Sequence, residues 1–153
     1  MNTLAAIRPD SQSLPLLLHV GGAMILVGGM LTASSALAFA RGNARLLRFG
    51  YWTLVLVALP GVVLMRVGAE WISERQGWDD VPDELVPDWL WVGVAVGDVG
   101  TLVFLVTLVV GGVGVYRLRS GKGSVLLKTT MALSIVLLTA YVVAVWAMSA
   151  KPG

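Results

Sequence analysis

Long, nearly uninterrupted runs of apolar residues dominate this sequence, and polar residues gather in the short stretches between them. A helix needs about 20 apolar residues to cross the roughly 30 Å hydrocarbon core of a bilayer. Four runs are long enough, at about 14–40, 49–71, 89–116 and 129–150. Short connections place sequence neighbours antiparallel. The pattern therefore predicts an all-α membrane protein, with residues 1–153 forming a single up-down bundle of four transmembrane helices.

The charged residues predict which way this bundle faces. The loops 41–48 and 117–128 contain arginine and lysine but no acid. Acids gather instead in and beside loop 72–88, as Glu70, Glu74, Asp79, Asp80, Asp83, Glu84 and Asp88. Cytoplasmic loops carry the excess of basic residues in membrane proteins. We therefore expect a multi-pass protein of the plasma (inner) membrane, with loops 41–48 and 117–128 in the cytoplasm and loop 72–88 and both termini outside.

The amino-acid composition excludes several kinds of chemical site. Of the 153 residues 57% are hydrophobic and 13% charged, about half the charged share of a soluble domain. The absence of cysteine excludes disulfides and thiolate metal sites, and a single histidine excludes sites that need two imidazoles. No catalytic triad spacing or phosphate-binding glycine loop is present, so we predict that the protein is not an enzyme. The lipid bilayer is its expected partner, and nucleic acid is not.

Three ionisable residues interrupt the predicted spans, namely His19, Arg66 and Asp98. A charge at the bilayer centre costs about 2.5–3.5 kcal/mol. At about 1.5 Å per residue, all three fall in the outer half of the membrane. We expect an ion pair between Arg66 and Asp98 with His19 nearby, and Glu70 is placed one helical turn from Arg66 to share its guanidinium. This buried polar cluster is either a site for a proton, ion, metal or small anion, or a structural ion pair that fixes helix packing.

Glycine and proline add two structural expectations. Small residues let membrane helices approach closely, and the third predicted span contains such a set at Gly93, Gly97 and Gly100. These glycines are compatible with a contact to a second copy of the chain, in a homo-oligomer, or to another protein in a larger membrane complex. The pair Pro60-Gly61 is expected to kink the second span.

The lone histidine is the candidate metal or cofactor ligand. Its imidazole, with a methionine such as Met24 or Met30, offers donors that copper(I) accepts, and five-coordinate haem on His19 is a second option. The structural alternative is a hydrogen-bonded histidine near the membrane interface. Apart from copper or haem at His19, no cofactor is expected.

One short stretch, Leu18-His19-Val20-Gly21-Gly22-Ala23 followed by Gly28-Gly29, carries a family resemblance. It resembles the start of an uncharacterised group of four-span bacterial membrane proteins related to the copper-resistance D membrane domain. Beyond the first helix, the resemblance extends to the number of spans, the Pro-Gly pair and the topology. It implies that His19 belongs to a periplasmic-side polar site connected with copper. The additional histidines and methionines of a copper pathway are missing, which argues against copper transport.

Three functional hypotheses follow. The first is a small non-enzymatic membrane protein, an accessory or complex subunit whose cluster holds the bundle or a partner helix. The second is a small transporter for an ion, proton or solute that acts as an oligomer, because four helices hardly enclose a path. The third is a metal or haem binder centred on His19.

Overall fold

The protein is described by a computed structural model over residues 10–77, 81–82 and 85–150. Throughout these ranges its regular elements are helices, in the order α1 (Asp10–Phe39), α2 (Ala44–Thr53), a π-helical turn (Leu54–Ala58), α3 (Leu59–Gln76), α4 (Asp88–Arg117), a 3-10 turn (Leu118–Ser120) and α5 (Ser124–Ala150). No strand occurs in the described ranges. Four helical stretches are long and apolar enough to cross a membrane, at 13–39, 44–76, 88–120 and 124–150. The prediction of an all-helical protein with four such spans is confirmed.

The second span is longer at both ends than the hydropathy pattern indicates. It begins at Ala44 because the Asn43 side chain accepts hydrogen bonds from the backbone N–H groups of Arg45 and Leu46, at 3.0 and 3.3 Å, as a helix N-cap does. It ends before Gly77, which adopts a left-handed conformation with φ 68°. Hydropathy detects the apolar part of a helix and misses the polar turns at its ends.

A π-helical turn interrupts the second span at Leu54–Ala58, one residue before the Pro60-Gly61 pair. Within it the Leu59 N–H bonds to the Leu54 carbonyl, five residues back. Proline lacks an N–H and its ring crowds the carbonyl four residues earlier, and a wider turn is one way for a helix to accommodate this. The π-helical turn over Leu54–Ala58 is the irregularity that accompanies the proline, and the kink expected at the Pro-Gly pair stays a prediction.

The helices run antiparallel, and their contacts are unequal. Helix α1 packs against α2 and α3 and also contacts α5, whereas α4 packs mainly against α5. Helices α3 and α4, although neighbours in sequence, barely touch, and α2 is the part of the second span that contacts α4. We call the end of the bundle at which α3 ends and α4 begins the acidic end, and the opposite end the basic end. The gap between α3 and α4 therefore lies towards the acidic end.

Glycines bring α1 and α3 together at backbone distance. A Cβ atom added to Gly61 would lie 2.5 Å from the Leu26 nitrogen, and one added to Gly29 would lie 3.0 Å from the Ala58 nitrogen. At Gly22 and Gly68 an added Cβ atom would likewise meet backbone atoms of the opposite helix. Close approach through small residues stabilises helix pairs in lipid. Among the described helices, α1 and α3 therefore have the closest backbone approach.

Candidate functional site: a cleft between α3 and α4

A cleft of about 550 Å³ lies between α3 and α4 at the acidic end. Residues of α3 and α4 form its walls, and residues of α1 and α5 close it from behind. Small-molecule sites in proteins have volumes of about 300–1,000 Å³ and are mostly apolar with a few polar groups. This cleft has that character, since its polar lining includes His19, Arg66, Glu70, Asp98 and Tyr141.

One guanidinium links the two walls. Arg66 of α3 places Nη1 2.7 Å from Oδ1 of Asp98 in α4, and Nη2 2.8 Å from Oε1 of Glu70, one turn further along α3. The Arg66 side chain is 32% exposed, and those of Glu70 and Asp98 are 63% and 53% exposed. The structure thus brings together the three charged residues singled out in the sequence. Arg66 bridges two carboxylates that both remain open to the cleft or its mouth.

The glycines of α4 make room for side chains. Gly97 lies beside the guanidinium, since an added Cβ atom would be 3.1 Å from Nη1 of Arg66. Gly93 lies against the Met148 side chain, and at Gly100 an added Cβ atom would be 2.9 Å from the Tyr141 hydroxyl. Gly93 and Gly100 thus lie in the contact between α4 and α5, and a role of these glycines in a contact with a second chain stays a prediction. The backbone contact occurs between α1 and α3, and the α4 glycines accommodate Arg66 and two side chains of α5.

His19 ties α1 to α3 at the same cleft. Its Nδ1 lies 3.0 Å from the Met65 carbonyl oxygen. A carbonyl only accepts hydrogen bonds, so Nδ1 carries the proton and Nε2 is the acceptor in the neutral ring. Within the described ranges, no three His, Cys, Asp or Glu side chains gather as metal ligands. Met30 is buried in the core, and Met24 is 71% exposed on the bundle surface. Copper or haem at His19 stays a prediction.

Replacing His19 by alanine is expected to lower the free energy of unfolding by about 1 kcal/mol, because one interhelical hydrogen bond is lost. The measurement is unfolding in mixed micelles by increasing sodium dodecyl sulfate, followed by tryptophan fluorescence. Metal content and the visible spectrum of the wild type and the variant are recorded on the same samples. Copper or haem that is present in the wild type and lost in the variant would establish a ligand role in place of this purely structural one.

Tyr141 is a polar residue of the cleft that the sequence pattern did not single out. It lies in the middle of α5 and is only 3% exposed. Its hydroxyl is buried, and the Thr101 side chain is the hydrogen-bonding group within its reach, although not at full hydrogen-bond geometry. The neighbouring Thr101 hydroxyl donates to the Gly97 carbonyl, at 2.5 Å. The signal in the sequence is a tyrosine inside an apolar run, which does not by itself tell whether the hydroxyl faces lipid, core or cleft.

No protein-family model, curated protein or solved structure matches this chain. Function must therefore be inferred from the cleft itself. Its charged lining residues within the described chain are one guanidinium and two carboxylates, a net charge of −1. Arg75 does not line the cleft; its guanidinium lies 5.1 Å from the centre of the Trp71 ring. The sequence between α3 and α4 contains further acids and no base, and these acids lie outside the described residues: Asp79, Asp80, Asp83 and Glu84.

Proposed function

We propose that this chain is a small non-enzymatic membrane protein that acts by binding, as an accessory component of the membrane, with the α3–α4 cleft as its binding site. The observation that carries the proposal is the separation of α3 from α4 at the acidic end, where the Arg66–Asp98 ion pair spans a cleft of ligand size. Apolar helices that only needed to pack would close such a gap. The charged residues of the cleft form ion pairs with one another. They are not arranged as a nucleophile with its base, as an enzyme of the hydrolase type would need.

The proposed orientation places the cleft on the outer side of the plasma membrane. Exposed arginines and lysine gather at the basic end, at Arg41, Arg45, Arg48, Arg117, Arg119 and Lys122. Positive charge of this kind is retained in the cytoplasm. The acidic end then faces outward, and a ligand would enter the cleft from outside or from the outer leaflet.

Packing beyond the cleft favours binding over transport by one protomer. Leu54 and Phe104 are completely buried and Leu137 is 3% exposed, in a continuous apolar core shared by the helices. This core blocks the way from the cleft towards the basic end. A transporter would therefore need further copies of the chain to build a path, and assembly as a homo-oligomer or in a larger complex stays a prediction.

Single cysteines test this proposal, because the chain has none of its own. We expect Ala69→Cys, in the cleft wall, to react with a membrane-impermeant maleimide added outside. Ser120→Cys, at the basic end, should react only from inside. Thr107→Cys, which is completely buried, should react from neither side. The measurement is the labelled fraction in intact cells and in inverted membrane vesicles.

A matched control separates an aqueous cleft from exposure to lipid. Val109 is 67% exposed on the bundle surface within the α4 span, and Val109→Cys should stay unlabelled because hydrocarbon surrounds it. Labelling of Thr107→Cys would reveal a continuous aqueous path and favour the transporter. An Ala69→Cys variant that stays unlabelled would show that the cleft is closed and remove the basis of the proposal.

A further inference from the structure

We propose that the cleft binds a lipophilic organic cation, such as a substituted ammonium or phosphonium ion. Its charged centre would lie against Asp98 and Glu70, and its apolar groups against the cleft walls. This inference rests on the proposed function, since it takes the cleft to be a binding site and names the chemical class of its ligand.

The described charged residues that line the cleft include more acids than bases. Arg66 contacts Oδ1 of Asp98 and Oε1 of Glu70, so the second oxygen of each carboxylate lies outside these contacts. Two carboxylates share one guanidinium, so the described lining residues carry a net charge of −1. Excess negative charge at the edge of the hydrocarbon is costly. One monovalent cation bound beside these oxygens would remove that cost.

The cleft walls select an organic cation. They are formed largely by apolar side chains, among them Ile72, Val94 and Val145, and they include the rings of Trp89 and Trp91. Aromatic rings attract cations, more strongly where water is excluded. A volume of about 550 Å³ is far larger than a bare metal ion needs. Size, apolar walls and excess negative charge together match a bulky cation with apolar substituents.

Tyr141 adds an aromatic residue to the back of the cleft. Its hydroxyl is buried beside Gly100 behind the cleft, with the Thr101 side chain as its hydrogen-bonding neighbour, although not at full hydrogen-bond geometry. Its aromatic ring adds to the attraction that a cation would meet in the cleft.

Tetraphenylphosphonium and tetraphenylborate provide a direct test, because the two ions are alike in size and shape and opposite in charge. We expect saturable binding of about one tetraphenylphosphonium per chain in nanodiscs of zwitterionic lipid, measured by equilibrium dialysis against empty nanodiscs. Tetraphenylborate should show no saturable binding in the same measurement. Asp98→Asn should weaken binding at least about tenfold, because it removes one of two carboxylates next to the cation. Asp88→Asn makes the same charge change outside the cleft and should alter the affinity by less than about twofold.

A second variant keeps the test valid if Asp98→Asn fails to fold. Val94→Trp keeps every charge but fills the cleft, so it should also weaken binding at least about tenfold. Equal binding of the two ions, no saturable binding, or an unchanged affinity in Asp98→Asn would overturn the inference. If no cation binds while Ala69→Cys is still labelled from outside, this inference alone fails. If Ala69→Cys is not labelled, the proposed function fails with it.

Discussion

Replacing Gly61 by alanine should cost about 2–3 kcal/mol of unfolding free energy. The added methyl group would meet the Leu26 nitrogen at 2.5 Å, its Cα at 2.9 Å and the Gly22 carbonyl oxygen at 3.0 Å. All three are backbone atoms, which cannot rotate away as a flexible side chain does. The two helices must therefore separate, and the close packing along their contact is lost. Overpacking a tight interior costs about 1–3 kcal/mol, and a rigid opposing helix places this variant near the upper limit.

The chain offers the same substitution at a matched control position. Gly28 is also within a helix, but nothing lies within 4 Å of an added Cβ atom there. Alanine is favoured over glycine inside a helix by about 0.8–1.0 kcal/mol, so Gly28→Ala should leave the stability unchanged or raise it. Unfolding by sodium dodecyl sulfate in mixed micelles, followed through the six tryptophans, measures both variants. Equal effects of the two substitutions would show that α1 and α3 do not approach as closely as described.

Glycine illustrates why the spans are predictable from sequence and their packing is not. The four spans follow from hydropathy, because each helix must satisfy its own backbone hydrogen bonds in lipid. Which helices touch depends on what lies opposite each small residue. The pair Gly93 and Gly97 has the spacing of a helix contact, yet side chains occupy the space beside it. The actual contact uses Gly61 and Gly68, seven residues and two turns apart on one face of α3.

The residues of the polar cluster could likewise be predicted from the sequence, whereas their arrangement in space could not. Scarcity of charge in the apolar runs is enough to select His19, Arg66 and Asp98 from the sequence. It does not indicate that α3 and α4 separate at the acidic end, so the cleft itself could not be predicted. Tyr141 was missed because its role depends on contacts across helices. A tyrosine inside an apolar run has the same appearance whether it faces lipid, core or cleft.

Arg66→Gln should be the most damaging single change in the polar cluster, with a loss of about 2–4 kcal/mol. The guanidinium compensates both Asp98 and Glu70, so its removal leaves two carboxylates at the edge of the hydrocarbon without a counter-charge. Removing one partner of a buried pair costs about 3–5 kcal/mol, and partial exposure of this pair lowers the figure. Asp98→Asn should cost less, because Arg66 keeps its contact with Glu70. The measurement is again unfolding in mixed micelles.

A double-mutant cycle decides whether this ion pair holds α3 to α4. The Arg66→Gln, Asp98→Asn double variant should lose about 1–2 kcal/mol less than the sum of the single losses, because the second change removes a charge that the first left unpaired. Glu70→Gln is the control, since it breaks a contact within α3 and leaves the link to Asp98 in place; its cost should stay below about 1 kcal/mol. Additive losses at residues 66 and 98 would mean that the two side chains do not meet in the membrane. The α3–α4 gap would then be held only by the remaining helix contacts, and the guanidinium could no longer be placed between the cleft walls.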